Sequence, residues 1–234
     1  MFIIVDGLDG SGKSTIIEAW KDRLKKEGSG IFDLRAYWKE HGRSPELDEL
    51  KAYDFIFSAE PSYSGVGKII REELIKNGSR YPEFAIAEAY SLDRLILYTK
   101  LLIPLLKQGR CIIQDRGVST SLSYQALSGK IPTKILAGLP GNALALKYRP
   151  DHLILATVKP ETALRRLEKR HDKRDNVIFE QLAFQRRAAK RFASVNYRKL
   201  FSSRGTMVHE LSGELPPAIM KEQALALLQT ILKK

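Results

Sequence analysis

The sequence predicts an α/β fold of three layers, with a five-stranded parallel sheet flanked by helices. Three observations carry that expectation. Short apolar runs alternate with longer amphipathic ones along all 234 residues, the pattern of strands that return through helices. The short runs lack polar alternation, as strands buried on both faces must. The first run, FIIV, enters a glycine-rich turn, DGLDGSGKST, that opens into a helical pattern, so the chain begins with strand, loop and helix in that order.

Taken in order, Phe2 to Val5 is the first expected strand, and Lys13 to Glu27 the first helix, stopped by Gly28. Phe55 to Ser58 is the second strand, followed by a helix over Val66 to Lys76. A long helix runs from Glu83 to Lys107, with Pro82 at its opening turn and Gly109 at its end. Cys111 to Gln114 is the third strand, Lys134 to Leu139 a short helix, and Leu153 to Val158 the fourth strand. Helices over Pro160 to Arg170 and Val177 to Phe201 precede the fifth strand, Met207 to Leu211, and Pro216 to Leu232 closes the chain as a helix. Two stretches read as loops. Ser29 to Asp54, with Trp38, His41, Gly42 and Pro45, stands where a short link would suffice, an unusual insertion with no derived role. Lys169 to Asn176, KRHDKRDN, is a basic run between helices, whose bland reading is a solvated linker.

A mass of 26.5 kDa, 44% hydrophobic and 28% charged residues fit one embellished domain over residues 1–234. The longest apolar stretch, Leu101 to Leu106, is interrupted by Pro104, so no membrane span is expected. Met1 to Val5 runs straight into Asp6 without the form of a secretory leader, and the chain reads as cytoplasmic. One cysteine and four scattered histidines speak against a disulfide or a structural zinc. The net charge of +12 suggests anionic partners, but no single-strand-binding or zinc-finger pattern accompanies it. Neither nucleic acid nor membrane is therefore the expected partner; a small anionic molecule is.

Gly7, Gly12, Lys13 and Ser14 in GLDGSGKST satisfy G-x-x-x-x-G-K-[ST] in the required strand-to-helix context. The glycines let successive backbone N–H groups converge on one point, and the following helix adds its positive end, so phosphates bind there. Gly7, Asp9, Gly10, Ser11, Gly12, Lys13, Ser14 and Thr15 are the expected nucleotide cradle for ATP or GTP. Lys13 would span the terminal phosphates, while Ser14, with Asp115 through water, would hold Mg²⁺.

A second constellation converges on the same strand ends. Asp115 and Arg116 close the third strand, Glu60 and Tyr63 follow the second, and Tyr90 and Arg94 share a helical face at i, i+4. Each has an ordinary reading alone: a core tyrosine, a surface helix pair, a structural ion pair. Together, GLDGSGKST, Glu60-Pro61, YSLDR and DRGVSTSLSYQ resemble, in order over nearly the whole chain, the motifs of the thymidylate kinase family of P-loop nucleoside monophosphate kinases.

That resemblance implies ATP and Mg²⁺ dependence, dTMP (thymidine monophosphate) as acceptor, and a homodimer built on helices. It implies that Tyr90 stacks on thymine, Arg94 bonds a base carbonyl, Arg116 grips the acceptor phosphate, and Ser121, Tyr124 and Gln125 line the nucleoside pocket. Asp9 would sit near the sugar hydroxyl and the transferring phosphate, and Glu60 and Tyr63 beside the acceptor. The basic run resembles a lid closing over ATP, with Arg170, Lys173 and Arg174 neutralising the transferred group. Two positions depart from the pattern: Ala59 replaces an arginine before Glu-Pro, and Gly117 replaces a tyrosine, which is expected to enlarge the pocket near the sugar. The rival readings are a kinase for another deoxynucleotide or a nucleoside, and a non-catalytic nucleotide-dependent protein that binds nucleic acid.

Overall fold

The structure is a computed structural model and describes residues 1–169 and 181–233. Its strands are β1 (Phe2–Gly7), β2 (Ile31–Asp33), β3 (Phe55–Ala59), β4 (Cys111–Asp115), β5 (His152–Thr157) and β6 (Met207–Ser212). They form one sheet in the order β2-β3-β4-β1-β5-β6, with every pair parallel. The sheet thus has six strands rather than the expected five. The sixth is β2, whose three residues IFD pair only with β3, too short a run to show periodicity in sequence.

The helices are α1 (Lys13–Lys26), α2 (Leu34–His41), α3 (Gly65–Ile69), α4 (Glu83–Leu97), α5 (Ile103–Lys107), α6 (Val118–Tyr124), α7 (Thr133–Gly138), α8 (Pro140–Lys147), α9 (Pro160–Glu168), α10 (Leu182–Ala193), α11 (Val195–Ser202) and α12 (Pro217–Leu232). They cover both faces of the sheet because successive residues of each central strand point opposite ways. Phe2 and Ile4 of β1 enter one core with Tyr98, Leu122 and Tyr197, while Ile3 and Val5 enter the other with Trp20 and Leu228. On that second face α1 and α12 pack together, and the Trp20 indole donates to the Ala224 carbonyl at 2.7 Å.

The segment 29–54, expected as a loop, is largely ordered into β2, α2 and a 3₁₀ turn at Leu47–Leu50. Asp33 starts α2 by accepting from the amides of Arg35 and Ala36 at 2.9 and 3.2 Å, an N-cap. Leu34, Trp38 and Leu50 are buried against the sheet. The expected helix Glu83 to Lys107 is a rod of α4, a π-helical stretch Tyr98–Leu102 and α5, and Val66 to Lys76 is α3 followed by a π-helical Ile70–Leu74. The expected Val177 to Phe201 helix is divided at Ser194, whose extended backbone and side chain cap α11; residues 177–180 lie outside the described ones. Besides α2, the helices α6 and α8 have no counterpart among the expected ones. The Ser-rich α6 is a weak helix former held by burial: Ser119 accepts through its carbonyl from Tyr197 Oη at 2.9 Å. No helix among the described residues is long and apolar enough to cross a membrane.

Candidate active site

The carboxyl ends of β1, β3 and β4 surround a cavity of about 490 Å³, where open parallel sheets place their sites. The turn after β1 is shaped by Gly7, Gly10 and Gly12, with φ of 140°, 81° and 96°. A Cβ on Gly10 would lie 2.5 Å from the Ala163 carbonyl oxygen of α9, so that position takes glycine on two counts, conformation and space. Lys13 folds back over the turn, its ammonium donating to the carbonyls of Gly7 and Leu8 at 3.2 and 2.7 Å. Burial, followed by the neighbouring Arg116 guanidinium, pushes its pKa down to about 8 against the pull of Asp9, Asp115 and Asp6. Ser14 is exposed at the cavity wall; Ser11 is buried behind the loop.

Arg116 joins the loop to the cavity. Among the described residues it is the one non-glycine with positive φ, 66°, a conformation costing about 1–2 kcal/mol. Its guanidinium bonds Asp9, donates to the Gly7 carbonyl at 3.2 Å and Thr120 Oγ1 at 3.3 Å, and reaches Asp6 at 3.4 Å. Asp6, fully buried at the end of β1, also accepts from the Gly7 amide at 2.7 Å and the hydroxyls of Thr120, at 2.8 Å, and Ser119. Burial pushes the Asp6 carboxyl up, and the Arg116 charge opposes it. The guanidinium therefore points at the lysine-bearing turn from across the cavity mouth. Beside it, Asp115 Oδ1 is buried without a hydrogen-bond partner.

Arg94 is only 1% exposed and forms a wall of the cavity. Its Nε donates to Glu60 at 2.8 Å, one terminal nitrogen pairs with Glu60 at 2.5 Å and with Ser121 Oγ at 3.1 Å, and the other bonds Asn142. Three of its five N–H groups are thus hydrogen-bonded. Glu60 also accepts from Gln114 at 3.1 Å, and its carboxyl is pushed up by burial against the Arg94 charge. The Glu60–Pro61 peptide is cis. Asp93 fixes the next turn by accepting from the Ser62 amide and hydroxyl at 2.7 and 2.6 Å. Tyr90 lines the cavity half-buried, its hydroxyl pushed up to about 12 by burial.

Tyr63, Ser121 and Tyr124 also line the cavity, whereas Gln125, Ser11 and Thr15 do not. The Tyr124 ring lies 5.5 Å from Arg116 Cζ and meets Phe184 and Phe192 edge-on. Gly117 lines the cavity, and a Cβ there would come within 2.8 Å of Ile4 Cδ1 on β1. Arg170, Lys173 and Arg174 lie outside the described residues. Of the preceding helix, Arg166 donates to the Gly10 carbonyl at 3.3 Å.

Sequence reasoning missed a group of cations. Arg71, from the π-helical stretch, donates to the carbonyls of Pro61 and Ser62 at 3.0 and 3.2 Å and stacks 3.8 Å from the Tyr63 ring. Arg35 and Lys39 of α2 each lie 5.0 Å from the same ring, and all three line the cavity. The i, i+4 spacing of Arg35 and Lys39 was the available signal, hidden because the segment read as a loop. Asn142 was missed for the same reason, because α8 had not been expected.

A glycine-built anion nest with a buried lysine, facing an arginine-lined cavity across one sheet edge, defines a P-loop phosphotransferase acting on a small acceptor. Residues 46–204 match the model of the family described as thymidylate kinase. A thymidylate kinase of Caldicellulosiruptor saccharolyticus is 30% identical over 195 residues, covering 83% of this chain and 82% of that protein. A probable thymidylate kinase of Methanocorpusculum labreanum is 29% identical over 194 residues, 82% and 81% of the two chains, and a thymidylate kinase of Parasynechococcus marenigrum is 26% identical over 204, 86% and 87%. The chain belongs to the thymidylate kinase family and is an enzyme.

Proposed function

We propose that this chain transfers the γ-phosphoryl group of ATP to dTMP, giving dTDP for the synthesis of dTTP in the cytoplasm, through one catalytic domain. The observation that carries the reading is the position of Arg116, bonded to the phosphate-loop carbonyl of Gly7 and to Asp9 while lining the same cavity as Tyr90 and Arg94. Two anion-holding groups thus bracket the space a phosphoryl group must cross. The acceptor phosphate is already ionised at neutral pH, so positioning and charge stabilisation suffice without a general base.

The chain's own residues divide the work. The loop amides and Lys13 hold the terminal phosphates of ATP, Arg116 orients the acceptor phosphate in line, and Asp9 fixes Arg116. Tyr90 supplies an aromatic face for the base, and Ser121 and Tyr124 close the nucleoside pocket. Arg94, locked by Glu60, offers a remaining N–H to the base. Gln125 supports the pocket from behind α6. Ser14 and the unpartnered Asp115 Oδ1 suit Mg²⁺, a hard cation bound by few protein oxygens together with nucleotide phosphates and water; when bound it neutralises charge on the transferring group. Arg170 and Arg174 add positive charge from the lid at about residues 169–176.

The exposed side of α4 carries Phe84, Leu92 and Ile96, each 43–48% exposed, on one stripe of the helix. That face supports a homodimer through α4. The function is tested by ADP release with a panel of acceptors: dTMP is turned over with the highest kcat/KM, and preference for thymidine or another monophosphate would overturn the assignment. Salt-sensitive DNA binding without acceptor-stimulated ATP turnover would overturn it altogether.

A further inference from the structure

The segment between the first helix and β3 does more than extend the sheet. Its β2 lies parallel beside β3, with Asp33 opposite Phe57, so the chain leaving β2 emerges at the sheet edge where the cavity opens. There Asp33 does two things: it caps α2 and pairs at 2.7 Å with Lys21 of α1, the helix that begins with Lys13. Lys21 is itself largely buried, and its pKa is raised although burial, the largest influence, works against it; the Asp33 carboxylate supplies the first of the opposing pulls. Leu34 and Trp38 anchor one side of α2 in the core. The adjoining side, about 100° round the helix, lines the cavity with Arg35 and Lys39.

Arg35, Lys39 and Arg71 gather within 3.8–5.0 Å of one tyrosine ring. Among the described residues no carboxylate forms an ion pair with Arg35 or Arg71, whereas the other two cavity arginines are paired, Arg94 with Glu60 and Arg116 with Asp6 and Asp9. Like charges held close at a cavity wall repel, and the tyrosine face offsets only part of that cost. An anion in the cavity would remove the repulsion, and a guanidinium fork is matched to a phosphate dianion.

We infer that α2 is an acceptor-binding element, in which Arg35 and Lys39 hold the phosphate of the incoming nucleoside monophosphate from the side opposite Arg116. The inference rests on the proposed kinase activity and adds residues to its acceptor side. In this reading ATP occupies the phosphate loop and the pair acts on the acceptor alone.

Two measurements on Arg35→Ala/Lys39→Ala test it, after the wild-type chain has been shown to phosphorylate dTMP; absence of that turnover would sink the proposed function and not this inference. In steady-state kinetics, KM for dTMP is expected to rise at least tenfold while KM for ATP stays within twofold and the melting temperature is unchanged. In calorimetric titration, the preference for dTMP over thymidine, which lacks the phosphate, is expected to shrink by a similar factor, with Arg35→Lys recovering part of it. Equal losses for dTMP and thymidine, equal rises in both KM values, or a dTMP KM within twofold of wild type would overturn it.

Discussion

Lys13 and Arg116 hold their positions by opposite means. Burial lowers the pKa of Lys13 while leaving it an ammonium at neutral pH, and Arg116 is kept charged by Asp9 and Asp6 in a backbone conformation that non-glycine residues avoid. The Lys13 pKa of about 8 has a directional consequence. It lies below the ordinary lysine value, so the ammonium is complete below that pH and is lost as pH rises through it. kcat/KM for ATP, which reports the free enzyme, is expected to fall above about pH 8. Bound phosphate stabilises the ammonium, so kcat should hold to higher pH; parallel pH profiles for the two parameters would contradict the assignment. Lys13→Ala should leave less than about a tenth of the wild-type kcat. Arg116→Ala should lower kcat by about 10²–10³-fold, the usual loss when a preorganised donor to a transferring group is removed, measured by single-turnover transfer to dTMP.

At the scale of elements, the site is built from turns that end strands, and each turn is clamped by a helix. Gly10 is pressed by the Ala163 carbonyl of α9, and Arg166 of the same helix bonds its oxygen. Gly10→Ala is expected to push α9 and the loop apart and raise KM for ATP more than KM for dTMP, a split that steady-state kinetics reads directly. Helix α2 depends on Trp38, whose ring is 1% exposed and whose indole donates to Ser44 Oγ at 3.2 Å. Truncation to alanine should cost about 3–5 kcal/mol, seen in urea unfolding.

For the whole molecule, the sheet gathers a glycine-shaped turn and cationic side chains at the carboxyl ends of its strands and leaves an apolar stripe on α4. If α4 joins two copies, Leu92→Glu with Ile96→Glu should give a monomer by light scattering while leaving the fold intact by circular dichroism; an unchanged mass would argue for a different interface. The +12 charge should make turnover fall with ionic strength, because it draws anionic substrates toward the cavity.

What the sequence determined by itself was local or written in fixed spacing. GLDGSGKST specified its own loop, because glycine at particular positions and a lysine at the helix start have one geometric purpose. The central strands were legible because burial on both faces leaves continuous apolar runs. Tertiary structure decided the rest. β2 exists only through pairing with β3, and α6 forms from a serine-rich run because its polar side chains find Asp6 and its backbone finds Tyr197. The Arg94–Glu60–Asn142 network and the approach of Arg35 and Lys39 to Tyr63 join residues tens of positions apart. Spacing along a chain cannot encode such meetings, since they are fixed by which strand ends share an edge of the sheet.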